Sequence, residues 1–252
     1  MRIDKYLAGR FGSRTKAETA VTEGLVLVNG RRVQPSYDFK EGDDVTFLEP
    51  DESYVSNGGF KLAKALKDFK FSVRDKIFAD IGASNGGFTD CLLQNGAEKV
   101  YCIDVGESQL DSSLLDKNVV VIDNFNARNL APDLFEERLD GAVVDVSFIS
   151  LTYILPGVSQ SLPDGAFVIA LIKPQFECEG KKIGKNGIVK DAATHKKIIK
   201  KIYDSAISCS LYAKKLTTAP VKVGKNIEYL ILLQKNAPEA EDFDKIIKYV
   251  KL

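Results

Sequence analysis

The chain has 252 residues, long enough for one large domain or for a catalytic domain with a small module beside it. Hydrophobic residues make up 44% and charged residues 28%, the mix of a protein with a proper core, which argues against a disordered or fibrous chain. The formal net charge is zero, so contact with nucleic acid has to come from local patches rather than from the overall field.

Those patches exist. Basic residues outnumber acidic ones from Arg2 to Arg32, Asp38 to Glu52 is acidic, and Lys181 to Lys201 is strongly basic. Each alone reads as a solvated face. The four cysteines, Cys91, Cys102, Cys178 and Cys209, form no C-x-x-C pair, and there is one histidine, so no metal site is expected. Nor is a disulfide framework expected at this size, which points to the cytoplasm. The opening MRIDKYLAGR lacks the apolar core of a signal peptide. No run approaches the ~18 apolar residues of a membrane helix, so no membrane partner is expected.

Residues 1–49 read as a small α+β module. Ile3, Leu7 and Phe11 share one helical face, and Ser13 can cap a second helix, RTKAETAVTEG, ending at Gly24. LVLVNGRRV then reads as a hairpin turning at Asn29-Gly30, and GDDVTF supplies another short strand. Two helices place Lys5, Arg10, Arg14 and Lys16 near a hairpin carrying Arg31 and Arg32, a basic surface suited to a phosphate backbone. The stretches RIDKYL, SRTKA, GLVLVNG and GDDV resemble the small RNA-binding domain shared by a small-subunit ribosomal protein, bacterial pseudouridine synthases and some tyrosyl-tRNA synthetases. A module that holds a protein partner is the bland alternative.

Residues 50–57 read as a linker, and residues 58–252 as a second domain in which strands and helices alternate. Strand candidates are IFADIG, KVYCIDV, VVVID, GAVVDV, FVIALIK and EYLILLQK, with helices such as GGFTDCLLQNG and DAATHKKIIKKIYDSAIS between them. That alternation predicts an α/β fold, a mostly parallel doubly wound sheet whose ligands bind beyond the carboxyl ends of its strands.

The first of these strands runs into ADIGASNGGFTD. Its spacing is neither the dinucleotide fingerprint nor a Walker loop, which disfavours a nicotinamide cofactor and ATP. Gly82, Gly86 and Gly87 let backbone come close to a ligand, with Ser84 among them. Asp80 opens the loop, Asp104 ends the second strand where an acid can accept from both ribose hydroxyls, and Asp123 ends the third, within reach of an adenine edge. A carboxylate-rich pocket without a phosphate cradle fits S-adenosylmethionine, which brings a sulfonium and an amino group. One such acid alone would read as a helix or turn cap.

The fourth strand ends at Asp145, and the fifth ends on Lys173-Pro174. A lysine closing a buried strand is costly unless it is paired or used. Lys61, in NGGFKLAKAL, can fold over the same opening, and Glu228 begins a late strand. Two lysines and two acids then converge. A positioned lysine can take the proton of a ribose 2′-hydroxyl, while the acids hold the lysines in place. A salt-bridged lysine at a strand end is the structural alternative.

The set YVSNGGFKLAKAL, DIGASNGGFTD, IDVG, NARNL, DVSFISL, IKPQFE and GKNIEYL resembles the FtsJ-like ribose 2′-O-methyltransferases. With the N-terminal module, the chain resembles the TlyA family of ribosomal RNA 2′-O-methyltransferases, also known as haemolysin A. The resemblance implies a Rossmann-like fold, S-adenosylmethionine, cytidine targets in ribosomal RNA or a ribosomal subunit, and a catalytic tetrad of Lys61, Asp145, Lys173 and Glu228. Asn57 stands where the family has arginine, and Lys225 separates Gly224 from Asn226, which the family has adjacent. A membrane-lytic protein and a non-catalytic ribosomal RNA-binding factor are the competing readings.

Overall fold

In a computed structural model, residues 1–22, 24–47, 54–107, 109–115, 117–178, 184, 187–221 and 224–250 are described. They form two compact units, one within Met1–Ser53 and Lys222–Gly224 and the other within Tyr54–Val221 and Lys225–Leu252. The boundary expected at Glu49, residues 50–53 of the expected linker, and residues 181–183, 185 and 186 of the basic stretch lie outside the described residues.

In the smaller unit, α1 (Ile3–Tyr6) runs into a 3-10 turn, and α2 (Arg14–Thr22) starts where the Ser13 hydroxyl accepts from the Lys16 amide. The strands β1 (Val26–Val28), β2 (Arg31–Arg32) and β3 (Val45–Phe47) pair antiparallel in the order β2-β1-β3. Asn29 and Gly30 both take positive φ, 52° and 72°, as the two-residue hairpin expected there requires. Ile3, Leu7, Ala17, Ala20, Val21, Val26 and Val28 make the core, and Phe11 packs on it.

The larger unit opens with α3 (Asn57–Phe69), capped by Ser56, whose hydroxyl accepts from the Gly58 amide. Tyr54 to Asn57, read as linker, therefore includes the cap and first residue of this helix. Seven strands follow: β4 (Ile77–Ile81), β5 (Lys99–Ile103), β6 (Val119–Ile122), β7 (Gly141–Val144), β8 (Phe167–Ile172), β9 (Leu211–Thr218) and β10 (Tyr229–Lys235). Their order is β6-β5-β4-β7-β8-β10-β9. The first five in that order are parallel, and β10 runs antiparallel to both its neighbours. The doubly wound α/β sheet expected from the alternation is present, with β9 as an additional strand.

The helices α3 and α4 (Gly87–Gln94) cover one face of this sheet, against Phe78, Val100, Val143, Ile169, Leu171, Leu230 and Leu232. On the other face, α5 (Leu155–Ser161) and α7 (Ala192–Ser208) pack on Ala79, Tyr101, Val144, Ile172 and Tyr229. A short helix, α8 (Phe243–Ile246), buries Phe243 and Ile246 in the same core. Residues 251 and 252 lie outside those described.

Candidate active site

Side chains alternate across a strand, so the parity of each strand decides where its last residue points. Phe78 faces α3 and α4, so Asp80 does too. Val143 faces them, so Asp145 does. Leu171 and Leu230 do the same for Lys173 and Glu228. The last β8–β10 pair is Ile172 with Tyr229, so Lys173 and Glu228 leave the sheet together, one residue further on. Because β7, β8 and β10 are adjacent, Asp145, Lys173 and Glu228 stand side by side, and α3 brings Lys61 across them.

They form two ion pairs. Lys173 Nζ lies 2.5 Å from Asp145 Oδ1, and Lys61 Nζ lies 2.7 Å from Glu228 Oε2. Gln175 of α6 (Pro174–Glu177) joins them, since its amide donates to the other Glu228 oxygen at 3.3 Å. Lys173 is buried, 9% exposed, and also donates to Ser147 Oγ at 2.7 Å. The strand-ending lysine is therefore paired and accessible from one side only.

That side is a cavity of about 170 Å³, lined by the glycine loop (Gly82, Ala83, Ser84, Asn85, Gly87, Phe88), by Ser56 and Gly58 at the start of α3, and by Asp145, Ser147 and Lys173. The glycines shape it by letting protein pack on protein. Gly82 has φ +86°, and a Cβ there would lie 2.7 Å from the Asp145 carbonyl oxygen. Gly86 packs against Leu110 and Leu114, and Gly87 against Ser56. The helix α4 is tied down by Asp90, which accepts from the Val55 amide at 2.9 Å.

The three acids of the loop region separate. Asp104, at the end of β5, is half-buried and preorganised: one oxygen accepts from the Ser84 amide and the other from the Gly106 amide, each at 2.8 Å. Asp123 follows β6, half-buried. Asp80 stands apart from the other two. It is fully buried beneath the loop, away from the cavity wall, and its Oδ2 accepts from the Thr89 hydroxyl at 2.7 Å. Burial, with Asp145 and Asp104 adding to it against the Thr89 bond, pushes this carboxyl up to about 7. It braces the turn from β4 into α4 through Thr89, while its Oδ1 has no hydrogen-bond partner among the described residues.

The cavity wall suits the methionyl end of S-adenosylmethionine: hydroxyls of Ser56, Ser84 and Ser147, the Asn85 amide and the Asp145 carboxylate offer both donors and acceptors around a polar, zwitterionic group. Asp104 retains a second lone pair on each oxygen for hydroxyl donors.

The sequence reading did not single out Ser147, Phe148 or Gln175 as site residues, although each lies inside a stretch it quoted. Phe148 is 90% exposed with φ +63°, and its ring lies 4.9 Å from that of Phe176. Lys173 Nζ is 5.9 Å from the Phe176 ring. An exposed phenylalanine beside DVS was the available signal, but its left-handed backbone is not readable from sequence.

In the smaller unit, Lys5, Arg10, Arg14, Lys16, Arg31 and Arg32 are all exposed. Two have partners. The Arg10 guanidinium stacks 3.9 Å from the Phe47 ring centre, and Arg14, with Arg2, holds the fully buried Asp4. Those hydrogen bonds, Arg2 first, lower the Asp4 carboxyl to about 2.

The profile of the FtsJ-like methyltransferases matches residues 54–235, and that of the S4 domain matches residues 1–45. The chain belongs to the FtsJ-like methyltransferase family. Hemolysin A of Brachyspira hyodysenteriae is 42% identical, over 91% of this chain and 98% of its own length. The 16S/23S rRNA (cytidine-2′-O)-methyltransferase TlyA of Mycobacterium tuberculosis is 33% identical, over 95% of this chain and 91% of its own. A solved structure assigned by name to the hemolysins, from Streptococcus thermophilus, covers 99% of this chain and 94% of its own at 39% identity, with a TM-score of 0.77. This is the FtsJ-like domain with an N-terminal S4 domain that the TlyA resemblance implies. Among the described residues, no helix of this family member is long and apolar enough to cross a membrane.

Proposed function

We propose that this chain is a cytoplasmic ribosomal RNA ribose 2′-O-methyltransferase acting at cytidine. The observation that carries the reading is the Lys173–Asp145 pair, standing at the ends of adjacent strands and opening onto a polar cavity built by a glycine loop. S-adenosylmethionine, when bound, supplies an electrophilic methyl group. Asp104 and Asp123 would hold its nucleoside end, and Gly82, Ser84 and Gly87 with the rest of the loop its methionyl end.

The work left to the protein is to place a ribose oxygen and remove its proton. Lys173 is the base that receives the 2′-hydroxyl proton as the oxygen takes the methyl group. Asp145 holds Lys173 and Glu228 holds Lys61, so much of the rate comes from positioning. The S4 domain adds affinity through Lys5, Arg10, Arg14, Lys16, Arg31 and Arg32, and this contribution weakens with salt. The target nucleotide has to leave its stack to bring a 2′-hydroxyl to Lys173.

The test incubates purified protein with methyl-labelled S-adenosylmethionine and separated small and large ribosomal subunits lacking the modification. Alkali-resistant label at one nucleotide is the expected result, absent with Lys173→Ala although that variant melts normally. Label retained by Lys173→Ala would overturn the assignment of the base. Bound S-adenosylmethionine without transfer to either subunit would favour the non-catalytic reading.

A further inference from the structure

Lys173 has a second polar partner that the tetrad leaves unexplained. To act as the base, Lys173 must be a neutral amine, with two N–H directions and one lone pair that takes the proton. Ser147 Oγ accepts one N–H at 2.7 Å, and Asp145 Oδ1 lies 2.5 Å from the nitrogen as its ion-pair partner. The lone pair is what the substrate hydroxyl meets, so whatever holds the nitrogen toward Ser147 and Asp145 aims it.

Ser147 is not held by its own strand, which ends at Val144. It sits on an exposed loop, yet lines the cavity. Two devices keep its hydroxyl there. Phe148, the next residue, takes φ +63°, a left-handed conformation that a bulky side chain adopts only under constraint. That turn sends Phe148 outward, to 90% exposure, while Ser147 faces Lys173. The constraint comes from Glu177, 4% exposed, whose two oxygens accept from the Leu151 amide at 2.7 Å and the Ser150 hydroxyl at 2.5 Å. Glu177 ends α6, the helix that begins immediately after Lys173. The circuit closes on itself: Lys173 to Ser147, along the loop to Ser150 and Leu151, across to Glu177, and back through one helical turn to Lys173. A buried carboxylate with both oxygens engaged by one loop rigidifies that loop against the segment carrying the base.

We propose that Ser147 is a positioning residue for Lys173, its hydroxyl locked in place by the left-handed turn at Phe148 and the Glu177 clamp so that the lysine's lone pair points into the cavity. The proposal rests on Lys173 being the base.

The test is single-turnover methyl transfer by the full chain at saturating S-adenosylmethionine, with the dissociation constant measured separately by calorimetry. Ser147→Ala is expected to slow transfer about tenfold, the worth of one hydrogen bond, with S-adenosylmethionine affinity within twofold of the parent. Ser147→Thr, which keeps the hydroxyl on an exposed loop, recovers most of the rate; a structural defect would not be rescued this way. Wild-type rate in Ser147→Ala alongside an inactive Lys173→Ala overturns the role of Ser147 and leaves the base standing. Wild-type rate in both variants overturns the base and the positioning role together.

Discussion

Lys61 Nζ stands 2.7 Å from Glu228 Oε2, which ties the helix that opens the larger unit to the strand that completes its site. Both side chains are mostly out of water, at 20% and 16% exposure. Removing one partner leaves the other charge half-buried and unpaired. Glu228→Ala should therefore lower stability by about 1–3 kcal/mol in urea unfolding and slow transfer by about a hundredfold. Adding Lys61→Met to it should restore most of the stability and none of the transfer. Recovery of both would show that the pair serves folding alone.

Gly82→Ala tests how the cavity is built. The new Cβ combines a left-handed backbone with a 2.7 Å approach to the Asp145 carbonyl. A loss of about 2 kcal/mol or more is expected, with weakened S-adenosylmethionine binding, because the loop must move off β7. Gly165→Ala is the control: its φ is +81° but nothing lies within 4 Å, so it should cost about 1 kcal/mol and leave binding unchanged. Equal costs at the two positions would refute the close-packing argument.

Asp80 gives the larger unit a pH dependence of definite sign. Its folded-state carboxyl is raised to about 7, above its ordinary value of 3.8. Its contribution is thus fully present below pH 3.8 and is lost as pH rises through 7. Asp80→Asn, which resembles the protonated acid, should gain stability relative to the wild type between pH 5 and pH 8. A constant difference across that range would mean that Asp80 is ionised throughout.

Asp4 has the opposite sign. Its carboxyl is lowered to about 2, so its contribution is present above the ordinary value of 3.8 and disappears as pH falls through 2. In Asp4→Asn the S4 domain should be weaker at neutral pH, and the difference from wild type should vanish near pH 2. Amide resonances of Ile3 and Val26, followed through an acid titration of the full chain, would show it. A difference that persists below pH 2 would point to packing rather than charge.

Much of this site could be read from residue order because strand ends are where such sheets do chemistry. Asp145 and Lys173 were legible as polar residues closing apolar runs, Glu228 as an acid opening one, and Lys61 as a lysine able to fold over the same opening. What could not be read was partnership. Nothing in the order of residues says that Lys61 pairs with Glu228, or that Gln175 bridges to it. The burial of Asp80 could not be read either, because an acid beside a glycine loop looks the same in sequence whether it faces a ligand or the floor beneath it. In the fold, β9 escaped notice for a specific reason. Its pairing slips between Leu232 and Leu233, so Lys215 and Ala213 face successive partners and Lys214 is extra. That bulge breaks the alternation in LYAKKLTT from which a strand is recognised.

Asn226 accepts from the Val189 amide and donates to the Gly187 carbonyl, each at 2.8 Å, just before β10 begins. The Ala219 amide then bonds the Glu228 carbonyl at 2.9 Å. The course of the chain is thereby settled from Asn226 onward. The extra Lys225 falls on the upstream side of that anchor, so an added residue there need not displace Glu228. A graft or affinity tag placed just ahead of Asn226 should be tolerated for the same reason.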